Sequence, residues 1–360
     1  MKMMHVREQD LEAFVERALT SVGVGEDDAR IVADVLVAAD RRGIESHGVA
    51  RLRWFYVDRI RNGRIAARPR YEVVRERATS LLLDAGNGLG HPASHHAMTR
   101  TIEKARENGL AFAAVRNSNH YGIAGYYAMM ALEHDMIGIC TTDSVHLAVP
   151  TFGATKMQGT NPFAFAIPAN QEPPYVLDFA TTTVTYGKLE VYERKALPLK
   201  PGWAVDAHGK PTNDPSARHH GALLPLGGFG TENGGHKGYG LGALAEILTG
   251  VLAAGWFGTS LTIVESPDAP SGITSHFFGA IRIDALRDVD EFKHAMDREL
   301  RTFKQSTPAP GQTRVYVAGE IEHQNEVAFR RDGIPLIAPV IDDLDRLADD
   351  LGIERLTRMG

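Results

Sequence analysis

The densest group of reactive side chains lies at residues 45–51, where the sequence reads Glu-Ser-His-Gly-Val-Ala-Arg. His47 and Arg51 are four positions apart, so on a helix both side chains would project from the same face. An arginine can hold a carboxylate through two parallel hydrogen bonds, and a histidine can exchange a proton with a neighbouring carbonyl oxygen. The pair therefore suits a 2-oxo acid. The alternative is a helix cap at Ser46 followed by a solvated histidine and arginine.

A second polar group, Arg-Asn-Ser-Asn-His-Tyr-Gly, occupies residues 116–122. It directly follows the apolar residues 112–115, which we expect to form a strand. Ligand-binding loops of α/β proteins commonly begin where a strand ends. His120 is therefore a candidate acid or base, and the alternative is a turn in which it caps neighbouring backbone groups.

A third group combines the sequence Gly-Thr-Asn-Pro at residues 159–162 with an acid, Asp178, that follows the apolar residues 175–177. An acid at the end of a strand often orients a histidine or stabilises its charged form. Asp178 would serve equally well as the N-cap of a following helix. The sequence leaves both interpretations open.

Glycines dominate residues 234–242, Gly-Gly-His-Lys-Gly-Tyr-Gly-Leu-Gly, just before a helix predicted over residues 241–253. Backbone donors at a glycine-rich helix start, together with Lys237, would bind a cofactor phosphate or a carboxylate. The alternative is that the glycines permit close helix packing. From Gly240 the sequence matches the pattern G-x-G-x-x-A, but no strand precedes it, so we reject a conventional Rossmann motif.

The remaining reactive residues do not form a recognisable centre. Three histidines, His91, His95 and His96, lie close together, yet the chain lacks the H-E-x-x-H pattern and a nearby cysteine, so we predict no metal site. The single cysteine, Cys140, lies in an apolar run and is expected to be a buried structural thiol. One cysteine excludes an intrachain disulfide and favours a reducing compartment.

These side chains must be positioned by an α/β scaffold with helical ends. Apolar stripes predict helices within residues 8–64, the second of which should begin at Glu26 or Asp27. Short β-prone runs occur at 71–74, 81–83, 112–115, 137–139, 163–167, 175–177 and 277–283. Helices are expected at 93–108 and 289–305 and again near the end, and a long functional loop at 195–235.

Composition and charge exclude several classes of protein. The chain has 360 residues and a formal net charge of -6, which argues against nucleic acid as a partner. Arginines recur between residues 51 and 64 at helical spacing, as expected for one face of a helix. No apolar run approaches the ~18 residues that a membrane span requires. Because no signal-peptide pattern opens the sequence, we expect a cytoplasmic protein.

With these motifs, the chain resembles the type-2 malate/L-lactate dehydrogenase family of NAD(P)-dependent oxidoreductases. The matching segments are residues 45–51, 117–127, 159–162, 177–181, 224–242 and, more weakly, 318–320. The resemblance implies an α/β, non-Rossmann nucleotide-binding fold with a mixed or largely antiparallel sheet flanked by helices. We expect residues 1–70 to pack with residues 288–360 as a helical domain, and residues 71–287 to contain the sheet and the binding sites.

The resemblance also implies roles for individual residues. His47 would donate a proton to the substrate, Ser46, Arg51 and Thr160 would bind it, and His120 would be a second acid or base beside the nicotinamide. Asp178 would assist the proton relay or bind the cofactor. The other residues implied in cofactor binding are Ser144, Phe179, Ala180, His236, Lys237, Ala318, Gly319 and Glu320. Ala318 departs from the proline of many relatives, and a homodimer with its active site near the interface is implied.

The predicted function is the interconversion of a small 2-hydroxy acid, malate or L-lactate, and its 2-oxo acid with NAD or NADP, NAD being the first choice. Residues 224–228, Leu-Pro-Leu-Gly-Gly, favour malate because they look most like the malate-type members. One alternative is an NAD(P)H-dependent reductase of cyclic imino acids of the piperideine-2-carboxylate type. A more distant alternative is a protein that binds a dinucleotide without catalysis.

Overall fold

The computed structural model describes residues 3–261 and 272–359. The helices of these parts are α1 (Glu8–Ser21), α2 (Glu26–Arg41), α3 (Asp58–Arg61), α4 (Gly90–Asn108), α5 (Ala124–Met129), α6 (Tyr186–Arg194), α7 (Ala217–His220), α8 (Gly235–Glu246), α9 (Val289–Gln305), α10 (Glu320–Asp332) and α11 (Ala338–Leu351). The strands are β1 (Met3–Val6), β2 (Glu72–Arg77), β3 (Ser80–Asp84), β4 (Leu110–Ser118), β5 (Met136–Thr142), β6 (Phe163–Ile167), β7 (Tyr175–Phe179), β8 (Ala204–Val205), β9 (Pro211–Thr212), β10 (Ala222–Leu223), β11 (Thr274–Arg282) and β12 (Ile334–Ile337).

A seven-stranded sheet in the order β2-β3-β4-β11-β5-β6-β7 forms the centre of the fold. Within the described residues, β3 and β4 are its one parallel pair, and every other neighbouring pair is antiparallel. The predicted α/β fold with a mixed, largely antiparallel sheet is therefore confirmed. The late strand β11 is inserted between β4 and β5, an arrangement that local sequence patterns do not reveal.

Two large apolar cores hold the elements together. Helices α1 and α2 share one core with the π-helical turn Leu52–Val57, α11 and the small β1-β12 sheet. Helices α4 and α5 bury their apolar faces against the seven-stranded sheet and form the second core. Helix α9 is anchored elsewhere, because the carboxylate of its buried Asp297 accepts hydrogen bonds from the backbone of residues 170–172. The division into domains stays a prediction.

Three sequence-based boundaries need correction. Helix α8 begins at Gly235 instead of residue 241, so His236 and Lys237 lie inside its first turn. Strand β4 continues to Ser118, which pairs with β11, so the first three residues of the polar group 116–122 belong to the strand. The loop at 195–235 contains α7 and the three-stranded sheet β10-β8-β9. Residues of β8, β10 and α7 share a small apolar cluster with Ala148 and Leu189, which lie outside the loop.

Candidate active site

The segment 45–51 wraps around a buried carboxylate. Glu45–His47 and Val49–Arg51 form two 3-10 turns, separated by Gly48 in an extended conformation with φ -88° and ψ -154°. The carboxylate of Asp40, near the end of α2, accepts a 2.7 Å hydrogen bond from the backbone N–H of Val49. Residues 47–51 therefore do not form the helical turn assumed for the spacing of His47 and Arg51, because Asp40 takes the backbone donor of Val49 that such a turn would use.

Two histidines from distant parts of the chain meet beside this segment. The ring centroids of His47 and His120 are 5.5 Å apart and the rings are nearly parallel, at 24°. Nδ1 of His47 is 2.9 Å from the Ser46 hydroxyl, and Nδ1 of His120 is 2.6 Å from the Tyr56 hydroxyl. Both residues are half-buried, and neither Nε2 atom has a hydrogen-bond partner among residues 3–261 and 272–359. The site thus offers two free imidazole nitrogens.

Both imidazoles are neutral in the free protein. Burial, followed by the positive charge of Arg51, lowers the pKa of His47 to about 4. Burial also lowers the pKa of His120 well below its ordinary value, and the nearby His47, Arg51 and Arg59 act in the same direction. A bound anion would offset the positive charges of the nearby arginines and make protonation of either ring easier.

Two guanidinium groups flank the Phe55 ring next to the histidines. The guanidinium carbon of Arg51 lies 5.0 Å from the Phe55 centroid, and that of Arg59 lies 5.2 Å from it. Arg51 Nε donates a 2.7 Å hydrogen bond to the Ser46 carbonyl, which leaves its two terminal nitrogens available. Neither guanidinium has an acidic partner in the described parts of the chain. The site therefore carries two positive charges that no acidic side chain among residues 3–261 and 272–359 neutralises.

Sequence analysis missed Tyr56 and Arg59 as members of this site. Arg59 was assigned to a basic helix face, and Tyr56, 64 positions before His120, carries no local motif. The spacing of four residues from Phe55 to Arg59 was the one available signal, because it places the two side chains on the same face of a helix.

Ser144, predicted to bind the cofactor, and Thr160, predicted to bind the substrate, lie together. The backbone N–H of Thr160 donates to the Ser144 hydroxyl at 2.9 Å, and that of Ser144 donates to Oδ1 of Asn161 at 3.0 Å. The Asn161 amide then donates to the carbonyl of Gly242 in α8 at 2.9 Å. This polar loop is thereby joined to the helix that begins with His236 and Lys237.

Asp178 lies on β7 and caps a helix from another part of the chain. Its Oδ2 accepts a 2.7 Å hydrogen bond from the backbone N–H of Gly125, in the first turn of α5. The interpretation as N-cap of the following helix is wrong, because α6 begins after Thr185. Surrounding protein raises the pKa of Asp178 to about 6, although solvent still reaches the carboxylate. Within the described residues, no contact joins Asp178 to His47 or His120.

The other predicted cofactor residues occupy two places around β7 and α8. His236 and Lys237 are exposed in the first turn of α8, where the positive end of the helix suits a phosphate group. The Ala318 carbonyl accepts a hydrogen bond from the Val176 N–H, which joins residues 318–320 to the strand that ends in Phe179. Glu320 is buried and ion-paired with Arg314. The roles of these residues in cofactor binding stay predictions.

A shallow depression of about 350 Å³ lies apart from the histidine pair. Its lining includes Asp84 and Arg116, which are ion-paired with each other at 3.0 Å. Because neither His47 nor His120 contributes to it, we place the candidate site by its chemistry and not by the size of a cavity. No group of three or more metal-ligating residues occurs in the parts of the chain that the structure describes.

The fold and the site define an α/β protein that can bind an organic acid through arginine and exchange a proton through histidine. The family model described as "Malate/L-lactate dehydrogenase" matches residues 6–345, and the chain belongs to this family. It is accordingly an oxidoreductase, a 2-hydroxy acid dehydrogenase whose reaction requires a nicotinamide cofactor.

Individual relatives match over nearly the whole chain. Malate dehydrogenase of Pyrococcus abyssi is 43% identical, and the alignment covers 98% of this chain and 96% of the relative. L-sulfolactate dehydrogenase of Methanocaldococcus jannaschii is 35% identical over 97% of this chain and 98% of the relative. The solved structure of malate dehydrogenase from Pyrococcus horikoshii superposes with a TM-score of 0.90 at 40% identity, covering 98% of this chain and 97% of that one.

Proposed function

We propose that the enzyme interconverts malate and oxaloacetate, with NAD as the preferred cofactor and NADP as the alternative. The observation that carries this choice is the pair of unneutralised guanidinium groups, Arg51 and Arg59, on the Phe55 ring beside His47 and His120. Two positive charges match a substrate with two carboxylates better than a monocarboxylate such as lactate. Relatives that carry the names malate and sulfolactate dehydrogenase, both acting on dianions, support the same class.

The spacing of the two arginines fits a four-carbon diacid. Each guanidinium carbon is within 5.2 Å of the same ring centroid, so the two are no more than about twice that distance apart. The carboxylate carbons of an extended four-carbon diacid are about 4 Å apart, and each would lie about 4 Å from the guanidinium carbon that binds it. One substrate molecule can therefore reach both groups.

In the proposed reaction Arg51 holds the carboxylate next to the reacting carbon through its two terminal nitrogens, while Ser46 keeps its Nε in place. His47 exchanges the proton of the substrate oxygen at its free Nε2. When bound, the nicotinamide supplies the hydride for reduction and accepts it in oxidation. The substrate carboxylate removes the effect of Arg51 on His47, so the pKa of His47 rises on binding and its protonated form becomes accessible.

Cofactor binding is proposed for residues around β7 and α8, with Thr160 on the substrate side. These residues are Ser144, Asp178, Phe179, Ala180, His236, Lys237, Ala318, Gly319 and Glu320, and His120, beside His47, is proposed to contact the nicotinamide end. Lys237 and His236 would meet a phosphate, whereas the Ser144–Thr160 loop and Asp178 provide hydrogen-bonding groups closer to the strands.

A second copy of this chain is the proposed partner. Along α8 and the π-helical turn Ile247–Val251, apolar side chains recur at helical spacing on a face that the chain itself leaves open. Leu244, Ile247 and Val251 are 44%, 54% and 47% exposed. An apolar stripe of this kind is typical of an interface, and we propose that it forms a homodimer.

We also propose a cytoplasmic location and a helical unit made from the two chain ends. The free thiol of Cys140, buried in the core, supports a reducing compartment. Among the described residues, no helix has the length and apolar character to cross a membrane. The core shared by α1, α2 and α11 supports the packing of residues 1–70 against part of residues 288–360.

The experiment that tests the function is a spectrophotometric panel of 2-oxo acids against NADH and NADPH. We expect oxaloacetate to give the highest kcat/KM, sulfopyruvate to be accepted because it is also a dianion, and pyruvate to be poorer. A higher kcat/KM with piperideine-2-carboxylate would favour the imino acid reductase. Dinucleotide binding without oxidation by any of these acids would overturn the catalytic proposal.

A further inference from the structure

The environment of His120 determines which of its ring nitrogens carries the proton. Nδ1 lies 2.6 Å from the Tyr56 hydroxyl and 3.4 Å from the backbone nitrogen of Gly122. A backbone N–H can only donate, so Nδ1 accepts hydrogen bonds and is unprotonated. Since the ring is neutral, its one hydrogen is on Nε2.

Tyr56 is the stronger of the two donors. Its side chain is fully buried, and burial raises the pKa of its hydroxyl, so the hydroxyl keeps its proton. His120 is its one hydrogen-bond partner in the parts of the chain that the structure describes. The Tyr56 ring is held edge-on against the buried His91, with centroids 4.8 Å apart at 71°. The hydroxyl therefore has one acceptor and little freedom to turn away from it.

The two histidines of the site differ in how firmly their neighbours fix the hydrogen on one ring nitrogen. The partner of His47 Nδ1 is the Ser46 hydroxyl, which can either donate or accept. His47 can thus carry its hydrogen on Nδ1 and accept a proton at Nε2, or hold both. His120 cannot accept a proton at Nε2 while Tyr56 and Gly122 keep its hydrogen there.

We propose that Tyr56 is a positioning residue that fixes His120 in the Nε2–H form, so that His120 donates a hydrogen bond to the substrate oxygen and His47 alone exchanges the proton. The inference rests on the proposed function. In oxidation the hydroxyl proton passes to Nε2 of His47 as the C=O bond forms, and a bound nicotinamide would accept the hydride from C2. The Nε2–H of His120 stabilises the negative charge that develops on that oxygen. Reduction is the reverse.

The decisive variant is Tyr56→Phe, which removes one hydroxyl and keeps the ring. The hydrogen bond from Tyr56 stabilises the unprotonated Nδ1, so its loss makes His120 easier to protonate. We expect kcat to fall about tenfold with a smaller change in KM, and the acidic limb of the pH profile to move to higher pH. Tyr126→Phe is the matched control, because the Tyr126 hydroxyl donates to Asp34 at 2.5 Å and contacts neither histidine of the site.

A measurement without substrate separates this inference from the proposed function. In protein labelled with nitrogen-15 in histidine, NMR distinguishes the Nε2–H from the Nδ1–H form, and His120→Asn identifies the His120 signals. We expect the Nε2–H form in the wild type and a mixture in Tyr56→Phe. An Nδ1–H form in the wild type, or an unchanged tautomer and pH profile in a folded Tyr56→Phe, would overturn the proposal. Absence of turnover with every acid would overturn the function and leave the NMR result standing.

Discussion

The carboxylate of Asp40 lies directly against the α-carbon of Gly48, so that a β-carbon added at residue 48 would overlap its oxygen atoms. Gly48→Ala must displace the Asp40 carboxylate or the backbone of residue 48, and because Asp40 is buried and Gly48 separates the turns that carry His47 and Arg51, we expect these two side chains to move. Misplacement by about 1 Å costs about 100-fold in activity, and we expect kcat/KM to fall by that order. Steady-state kinetics would measure this fall, and thermal unfolding would measure the change in stability. Gly25→Ala is the control, since its β-carbon would meet no atom within 4 Å.

The division of roles between His47 and Arg51 predicts different kinetic effects. His47→Ala removes the group that exchanges the proton, so kcat for reduction should fall about 10²-fold to 10⁴-fold with little change in KM. Arg51→Ala removes the group that binds the carboxylate, so KM should rise sharply. His208→Ala, at an exposed histidine in the turn between β8 and β9, should behave as the wild type. Near-normal kinetics in both site variants would refute these roles.

Sequence patterns correctly predicted the elements whose structure depends on interactions within one short segment. Helix α9 coincides with the predicted helix at 289–305, because its apolar stripe and its N-cap, where Asp288 accepts from the Glu291 N–H at 3.0 Å, both lie within the segment. The helical spacing assumed for His47 and Arg51 does not occur in the structure, for the opposite reason. Asp40 competes for the Val49 N–H from outside the segment, and no periodicity records such a contact.

The same limit applies to the site. His47, Arg51 and His120 were recognisable because residue type and family resemblance both mark them, and the structure brings them together. Tyr56 was not recognisable, since its role depends on a hydrogen bond to His120, which lies 64 positions later in the chain. The insertion of β11 between β4 and β5 likewise depends on pairing between distant segments, which one sequence does not reveal.

Arg59 should discriminate between substrates with one and two carboxylates. Its guanidinium has no acidic partner in the described part of the chain, and burial and then Arg64 lower its pKa. We expect Arg59→Ala to raise KM for oxaloacetate about tenfold or more, in line with loss of a charge-assisted hydrogen bond, and to leave KM for pyruvate nearly unchanged. Arg61→Ala, on the same helix, is the control. Equal effects on the two acids would show that Arg59 does not contact the second carboxylate.

The apolar stripe on α8 predicts that one substitution separates the dimer. Burial of an isoleucine side chain contributes about 1.5–3 kcal/mol, whereas burial of an unpaired carboxylate is strongly unfavourable. We expect Ile247→Glu to have the mass of one chain in light scattering after gel filtration, and the wild type to have the mass of two chains. Leu286→Glu replaces a leucine that is 88% exposed outside the stripe and should leave the mass unchanged. A wild-type protein of one-chain mass would contradict the proposed dimer.

Asp143 should make the stability of the fold depend on pH. Burial raises its pKa to about 8, and the hydrogen bond from the Ser275 backbone N–H opposes this rise only in part. The Thr249 hydroxyl has one hydrogen but lies 2.8 Å from the Ala245 carbonyl and 3.0 Å from Oδ2 of Asp143, so a protonated Asp143 can donate to it. Its other oxygen accepts from the Ser275 N–H at 2.9 Å.

The sign follows from the two pKa values of Asp143. In the unfolded chain an aspartate has a pKa of about 3.9, so between about pH 4 and about pH 8 the folded state binds a proton that the unfolded state does not. The free energy of unfolding therefore decreases as pH rises through this window and levels off above it. Asp143→Asn keeps the acceptor for Ser275 and offers an N–H donor to Thr249, without a titrating group. We expect the melting temperature of this variant to decline less between pH 5 and pH 8 than that of the wild type. Asp27→Asn, at a side chain that is 92% exposed, should keep the wild-type slope, and an equally steep decline in Asp143→Asn would show that Asp143 is ionised in the folded protein.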